Sequence, residues 1–462
     1  MVEIGRKDFF FEKKKQKTFT RWLCFSGKAR PNVQKFFSSF FQKRTYLLQT
    51  GSPYMKGTER GEFSRGWKLL LSATLGVGLG LSPLPFYTSG VFIAPLTHAF
   101  GWSTAQVLSA LIGTTLGAIV AAPIAGILAD RFGVRRVALT SCVLYGLSWL
   151  LLMLTNGSLL LFDVTWAVVG AAGAGTLPLT WTRPINNYFI VHRGLALGIA
   201  LFATGLFGAA AKLYSAFLIA HIGWRGAYAG IGLLPLCISL PVAIAFFHDK
   251  AEAATPAEQR AQPGKSLRMA LADRRFWTLA ATLVCTAFAL GGPIPNLERL
   301  LATKGFAAGN AVLLASFIGY SVVVGRIAGG WLLDRVWAPL VGFFLLACPA
   351  LALLVFAHAR HLSFAWAATA VAMLGVSVGS EYDLMAYMTS RYFGMRAYST
   401  IYGVLYGFYT IGAGFAPSIF GSSFDRTGSY GSVLLIGACL TLFGATLLLS
   451  LGRYPKSFTS TS

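Results

Sequence analysis

Residues 126–137 read GILADRFGVRRV, and 204 positions after Gly126 residues 330–335 read GWLLDR. Gly126 falls on Gly330, Asp130 on Asp334 and Arg131 on Arg335. The same shift carries Gly101-Trp102 onto Gly305-Phe306 and Tyr188-Phe189 onto Tyr392-Phe393. Three coincidences at one offset mark an internal duplication, which constrains the architecture before any local propensity is consulted. In a membrane chain, a duplicated helical unit is a transporter design: two bundles rock about a shared central site. Neither a channel nor a membrane enzyme has particular need of it.

The sequence around the repeat belongs in a membrane. The 462 residues are 55% hydrophobic and 12% charged, with a mean hydropathy of +0.62. Such a chain cannot show a normally charged surface to water, which excludes a soluble enzyme or a disordered tail. Apolar stretches of the length that crosses ~30 Å of hydrocarbon recur twelve times. They run near 69–96, 104–129, 134–155, 158–188, 195–219, 226–247, 276–297, 307–333, 339–357, 362–387, 397–421 and 431–450. Glycine runs such as Gly76, Gly78, Gly80 and Gly170, Gly173, Gly175 read as seams where helices approach closely in lipid. The predicted fold is all-α, with twelve transmembrane helices in two pseudo-symmetric six-helix bundles.

The net charge of +23 is sorted by side of the membrane. Connections after even-numbered spans, with the C-terminal tail, hold sixteen Lys and Arg; the odd connections hold five (Arg225, Arg299, Lys304, Arg360, Arg426). Basic residues concentrate on the cytoplasmic side, so both termini are expected there and the charge calls for no nucleic acid. Cys24, Cys142, Cys237, Cys285, Cys348 and Cys439 show no metal or disulfide spacing and read as packed thiols. Residues 1–54 carry twelve Lys and Arg against three acids, interleaved with Phe9, Phe10, Phe11, Phe36, Phe37, Phe40 and Phe41. They suit an anionic lipid surface, or else translation starts at Met55, the reading preferred. The domain plan is a basic tail over 1–65, a six-helix bundle over 66–247, a linker over 248–275, a second bundle over 276–452 and a tail over 453–462.

Gly126, Leu128, Asp130, Arg131, Gly133, Arg135 and Arg136 after span 2 resemble the loop signature of the major facilitator superfamily, G-x-L-x-D-R-x-G-R/K-R/K. The resemblance covers residues 66–452, including RGLALGIA at 193–200 and the weaker copy Gly330, Asp334, Arg335 after span 8. It implies a secondary transporter working by alternating access, with Gly126, Asp130, Arg131, Gly133, Arg135, Gly330, Asp334 and Arg335 as a conformational gate. There the aspartate would take basic residues and a neighbouring helix N-terminus as partners.

Within that superfamily the chain is similar to the monocarboxylate and oxalate/formate porters. The similarity implies that Arg326, in GYSVVVGRIAGGWLLDR (319–335), binds a substrate carboxylate. Arg326 lies eight residues before Asp334, roughly 12 Å up the helix, where a guanidinium must be paired or face water. Two positions depart from those porters. Val322 stands one turn before Arg326, where the animal-type porters have an acid, and residues 397–421 contain no charge, where the oxalate-type porters have a lysine.

Other charges fall inside spans. Arg183, roughly 15 Å deep and level with Arg326, either grips an anion opposite it or snorkels to the cytoplasmic interface. Lys212, roughly 25 Å in, is a cavity cation or a snorkelling lysine. Glu381 and Asp383 in span 10 are two apart and do not share a helix face, so at most one points squarely into the central cavity. Either carries a coupling proton or neutralises Arg326. Asp163 reads as interfacial. Pro83 and Pro85 interrupt span 1, and Tyr402, Tyr406 and Tyr409 contact substrate or pack.

The resulting expectation is a secondary active transporter of a small organic anion, a carboxylate, with proton symport. It is placed in the plasma membrane, or the inner membrane of a bacterium, as a monomer whose partners are a small-molecule substrate and the lipid bilayer. It has no catalytic residue, metal or cofactor. The alternatives are a proton-driven exporter of a neutral or cationic compound and, from another class, a non-transporting membrane sensor. No H-E-x-x-H or nucleophile elbow appears. Gly264-Lys265-Ser266 is no phosphate loop, since Gln259 stands where the pattern needs its first glycine.

Overall fold

The computed structural model describes residues 61–248, 262–359 and 361–455. The basic segment 1–54, the Met55 start, most of the linker's first half and the last tail residues lie outside them. Every described element is helical, apart from one isolated backbone bridge between Gly264 and Gly394.

Span 1 comprises Glu62–Gly78, Leu84–Thr88, the 3-10 turn Ser89–Phe92 and Ile93–Phe100. Span 2 is Thr104–Phe132, span 3 Val134–Leu151, and span 4 is Leu159–Ala172 with Pro178–Tyr188. Span 5 is Arg193–Leu201 continued by Ala203–Leu234 as far as Gly223; span 6 follows through a π-helical turn at Pro235–Ser239 to Leu240–Phe246. Span 7 is Arg274–Gly291 with Leu297–Thr303, span 8 Ala308–Leu333, span 9 Ala338–His358, span 10 Phe364–Phe393, span 11 Tyr398–Thr427 and span 12 Gly431–Leu449.

Nine helices among the described residues are long and apolar enough to cross a membrane. One of them, Arg193–Phe246, joins spans 5 and 6 across Gly223, whose φ of 74° is open to glycine without a Cβ penalty. Spans 1 and 7 complete the twelve, each broken beside prolines: Pro83 and Pro85 in the first, Pro293 and Pro295 in the second. The break in span 1 frees backbone groups that lipid cannot satisfy. Thr176 Oγ1 accepts from Leu81 N at 2.9 Å and Tyr145 Oη donates to Gly80 O at 3.4 Å, both from the same half. Glycine seams bring spans 2 and 4 together: a Cβ on Gly117 would lie 2.0 Å from Ala167 O, and one on Gly170 2.2 Å from Thr114 O. The outward faces are apolar, with Leu160, Leu213 and Tyr320 exposed; such a surface needs lipid against it. The five described cysteines are free, but only Cys142 is buried, and Cys237 and Cys439 are exposed.

Four of the long helices begin with their own side-chain cap. Ser103 and Gln106 form a capping box at span 2, and Ser158, Asp273 and Ser363 cap spans 4, 7 and 10, each serving N–H groups that would otherwise lack an acceptor. Spans 5 and 11 do not, since His192 and Ala397 at their N-caps give no side-chain bond. The first and last described spans start and end on one side of the molecule. Glu62 accepts from the N–H groups of Ile190, Val191 and His192 between spans 4 and 5, and Tyr454 Oη accepts from Ala338 N between spans 8 and 9.

Candidate functional site

Spans 5 and 11 are capped from the opposite half. Asp130, closing span 2, accepts from Ser399 N at 3.1 Å and Thr400 N at 2.7 Å. Asp334, closing span 8, accepts from Gly194 N at 2.6 Å and Leu195 N at 2.9 Å. In both cases these are the second and third residues of the helix. A carboxylate there meets two orphan donors and the positive end of the helix dipole, with charge-assisted bonds. Gly126 and Gly330 let the helix ends come this close: a Cβ on Gly126 would lie 2.4 Å from Ser399 O, and one on Gly330 2.3 Å from Gly194 O. The two motif copies thus form a pair of crossed latches at one end of the molecule.

The other motif residues divide. Gly133, at φ 93°, turns the chain between spans 2 and 3. Arg135 Nη2 donates to Ile244 O at 2.7 Å, near the C-terminal end of span 6 in its own half, where a cation is favoured. Arg335 lies over Trp331 and donates to its carbonyl at 3.2 Å. Arg131 is exposed, 5.5 Å from the Phe132 ring centroid. The cation that meets the Asp130 carboxylate is Arg183, with Nη1 2.9 Å from Asp130 Oδ1 and 3.2 Å from Ala129 O. This differs from both expectations for Arg183, an anion grip opposite Arg326 and snorkelling to the cytoplasmic interface: the side chain turns into the latch. Sequence reasoning missed the residues that tie each capped helix down. Tyr398 Oη meets Thr182 Oγ1 at 2.8 Å and accepts from Asn186 Nδ2 at 3.1 Å, and Arg193 Nη1 donates to Ser390 Oγ at 3.3 Å. Tyr398 and Arg193 are the first residues of spans 11 and 5, and nothing in the sequence singled them out, since spans 3, 8, 9 and 12 also begin without a side-chain cap.

Inward of the latches, Arg326 is 2% exposed and Asp383 fully buried, with Nη1 3.3 Å from Asp383 Oδ1. Nη2 donates to Thr204 Oγ1 of span 5 at 2.9 Å, so the guanidinium bridges the two halves. The Tyr382 ring lies 5.6 Å from it, within cation–π range. Tyr382 packs in turn on Tyr406 and Tyr409, at 6.0 and 5.2 Å between centroids, and Tyr402 packs on Tyr398 at 5.9 Å. Arg326 Nε, Asp383 Oδ2 and Tyr402 Oη are buried with unused hydrogen-bonding capacity, a departure from the rule that buried polar atoms are paired.

Glu381 and Asp383 point apart, as their spacing requires. Glu381 faces the Thr286 and Tyr409 hydroxyls and borders a cavity of about 20 Å³ lined by Leu283, Leu346, Met385 and Leu448, room for about one water. It therefore belongs to the interior of the second bundle, and Asp383 to the interface. Lys212 is exposed, with no ion pair or hydrogen bond among the described residues. Asp163 accepts from Ser109 Oγ at 2.5 Å between spans 2 and 4. Among the described residues no three His, Cys, Asp or Glu side chains gather as a metal site.

Known proteins resemble this chain over most of its length. Over 357 residues the chain is 30% identical to an uncharacterized 38 kDa protein of Thermoproteus tenax, covering 76% of this chain and 87% of that one. It is 26% identical to monocarboxylate transporter 11 of Mus musculus, over 84% and 88% of the two chains. The fucose:proton symporter of E. coli superposes with a TM-score of 0.65 at 16% identity, over 84% of this chain and 99% of that one. A family model described as Major Facilitator Superfamily matches residues 75–417, more than half of the chain, and the protein is a multi-pass membrane transporter belonging to that superfamily, not an enzyme.

Proposed function

We propose that the protein moves a small organic anion bearing one carboxylate, together with a proton, by alternating access. The observation that carries this reading is the Arg326–Asp383 pair, buried at the junction of the halves and tied to both through Thr204. An ionised Asp383 occupies the guanidinium; a protonated Asp383 releases it, leaving one positive charge and the free Nε for an incoming carboxylate. Proton and anion then bind together, because each favours the state the other needs. Arg over Lys suits this task, since its planar fork pairs with a carboxylate through two bonds. Tyr402 and Tyr406 flank the site and would contact the substrate. The similarity to a monocarboxylate transporter agrees with this cargo.

Asp130 and Asp334, with Gly126, Gly330 and Arg183, hold one end shut in the conformation described, and the basic loops assign that end to the cytoplasm. Rocking would break both latches and expose Arg326 to the other side. The domain plan, the monomeric state and the plasma-membrane location belong to the same proposal. Uptake into proteoliposomes tests it, using radiolabelled lactate, pyruvate, succinate, glucose and tetraethylammonium with and without an inside-alkaline pH gradient. A monocarboxylate driven by the gradient supports the reading, with Arg326→Lys inactive. Uptake confined to the sugar or the cation contradicts it.

A further inference from the structure

Spans 5 and 8 separate progressively with distance from the latch. A Cβ on Gly194 would lie 2.2 Å from Gly330 O, one on Gly198 2.4 Å from Arg326 O, and one on Gly205 3.6 Å from Val322 Cγ1; one on Gly319, next along span 8, meets nothing within 4 Å. The two helices part beyond Arg326 into a cleft. Gly198, Gly205 and Lys212 are spaced by seven residues, which returns a helix to within about 20° of the same face. Lys212 therefore lies on the face of span 5 that looks across the cleft, beyond the point where contact with span 8 is lost. It is eight residues past Thr204, about 12 Å outward from the hydroxyl that Arg326 grips.

Neighbouring side chains agree with this placement. Gly208, one turn before Lys212, packs on the Tyr87 ring, with a Cβ reaching 2.4 Å from Tyr87 Cδ2, and Tyr87 lies within electrostatic range of Arg326. The lipid face of the helix is marked instead by Leu206, Leu213 and Phe217, 52%, 74% and 58% exposed. Lys212 is also eleven residues short of the turn at Gly223, about 16 Å along the helix, a long reach for an ammonium on the lipid side. A water-filled cleft accounts for an exposed lysine at this depth without an acidic partner.

We propose that Lys212 is a capture cation: it draws small organic anions into the cleft and holds their charged end before Arg326 takes it. This rests on the anion reading of the central site and adds a second, outer station to it. A cleft with one sign of charge and low-dielectric walls concentrates the matching ion.

The test uses a small organic anion that reports its own arrival. In purified protein with its native cysteines replaced, Gly319→Cys supplies a thiol on the opposite wall of the cleft, where a Cβ has space. Its reaction rates with negatively charged sulfonatoethyl and positively charged trimethylammonioethyl methanethiosulfonate are compared. With Lys212 present the anionic reagent is expected to be favoured. Lys212→Gln should lower the anion-to-cation rate ratio about fourfold, Lys212→Arg should preserve it, and 0.5 M salt should lower it in the Lys212 protein alone. A thiol introduced by Gly319→Cys that reacts with neither reagent, or a ratio that Lys212→Gln leaves unchanged, overturns the proposal. No transported substrate is needed, so the capture role can fail while carboxylate uptake succeeds, and the reverse.

Discussion

Ala122 and Arg326 occupy one place in the two halves, 204 residues apart. Each offers its carbonyl to a glycine of a facing helix: a Cβ on Gly403 would lie 2.5 Å from Ala122 O and one on Gly198 2.4 Å from Arg326 O. The backbone geometry is duplicated, and the side chain is not. Leu177 and Leu179 in span 4 likewise match Glu381 and Asp383 in span 10. The latches show the reverse pattern, with Asp130 and Asp334 capping the same two helix positions. The contacts that close one end are built twice, and the buried charge pair between the halves is built once. Burying charge is costly even when paired, so the uncharged Ala122, Leu177 and Leu179 are the less expensive choice wherever no ligand must be held.

The largest expected difference between the halves is at their charged centre. Arg326→Ala strands a buried Asp383 and should cost about 3–5 kcal/mol of stability, with uptake abolished. Arg326→Leu with Asp383→Leu makes the second half resemble the first. Thermal unfolding should show most of the stability regained, while uptake stays at background. If the double variant transports, the asymmetry is not where the chemistry resides.

The latches should differ less. Asp334→Ala removes a helix cap, about 1 kcal/mol, whereas Asp130→Ala also removes the charge that the buried Arg183 faces, about 3 kcal/mol. Spin-label distances across the latch end should report more opening in the Asp130 variant; equal opening would deny Arg183 its place in the latch. Gly126→Val and Gly330→Val should be indistinguishable, each weakening the closed end by about 1–3 kcal/mol through overpacking. A clear inequality between them would break the symmetry of the two contacts.

The smallest effect is at the starts of the halves. Glu62 serves the loop before span 5, while Asp273 caps its own span 7 and pairs with Lys265. Partial burial pushes the Asp273 carboxyl upward, but hydrogen bonds from Lys265 and Arg275 N, with both charges, outweigh it and hold it below the ordinary value. The unfolded chain therefore binds this proton more tightly than the folded one. Its contribution, under about 1 kcal/mol for a pair still reached by solvent, is full above about pH 4 and lost as pH falls through the lowered value. Asp273→Asn should lower the melting temperature slightly at pH 7 and by less as the pH is taken below 4.

The repeat and the twelve spans were legible in the linear sequence, because length, hydropathy and offset are one-dimensional. Azimuth was not. Arg183 turns into a latch and Arg326 into the interface, and only the rotation of spans 4 and 8 against their neighbours decides this. The spacing of Glu381 and Asp383 showed that they diverge, without showing which one meets Arg326. Arg131 and Arg335 belong to the signature, but their side chains stay at the surface, since the helix N-termini supply the positive ends that the aspartates use.

Ligand stabilisation of purified protein at pH 5.5 and pH 8, for the wild type, Asp383→Asn and Arg326→Lys, tests the shared proton-and-anion site most directly. Lactate, pyruvate, succinate, glucose and choline serve as the panel, and a ligand at 100-fold its dissociation constant adds about 2.7 kcal/mol. The account predicts that a monocarboxylate stabilises the wild type more at pH 5.5 than at pH 8, Asp383→Asn equally at both, and Arg326→Lys at neither. Retained pH dependence in Asp383→Asn, or stabilisation by glucose or choline alone, would contradict it.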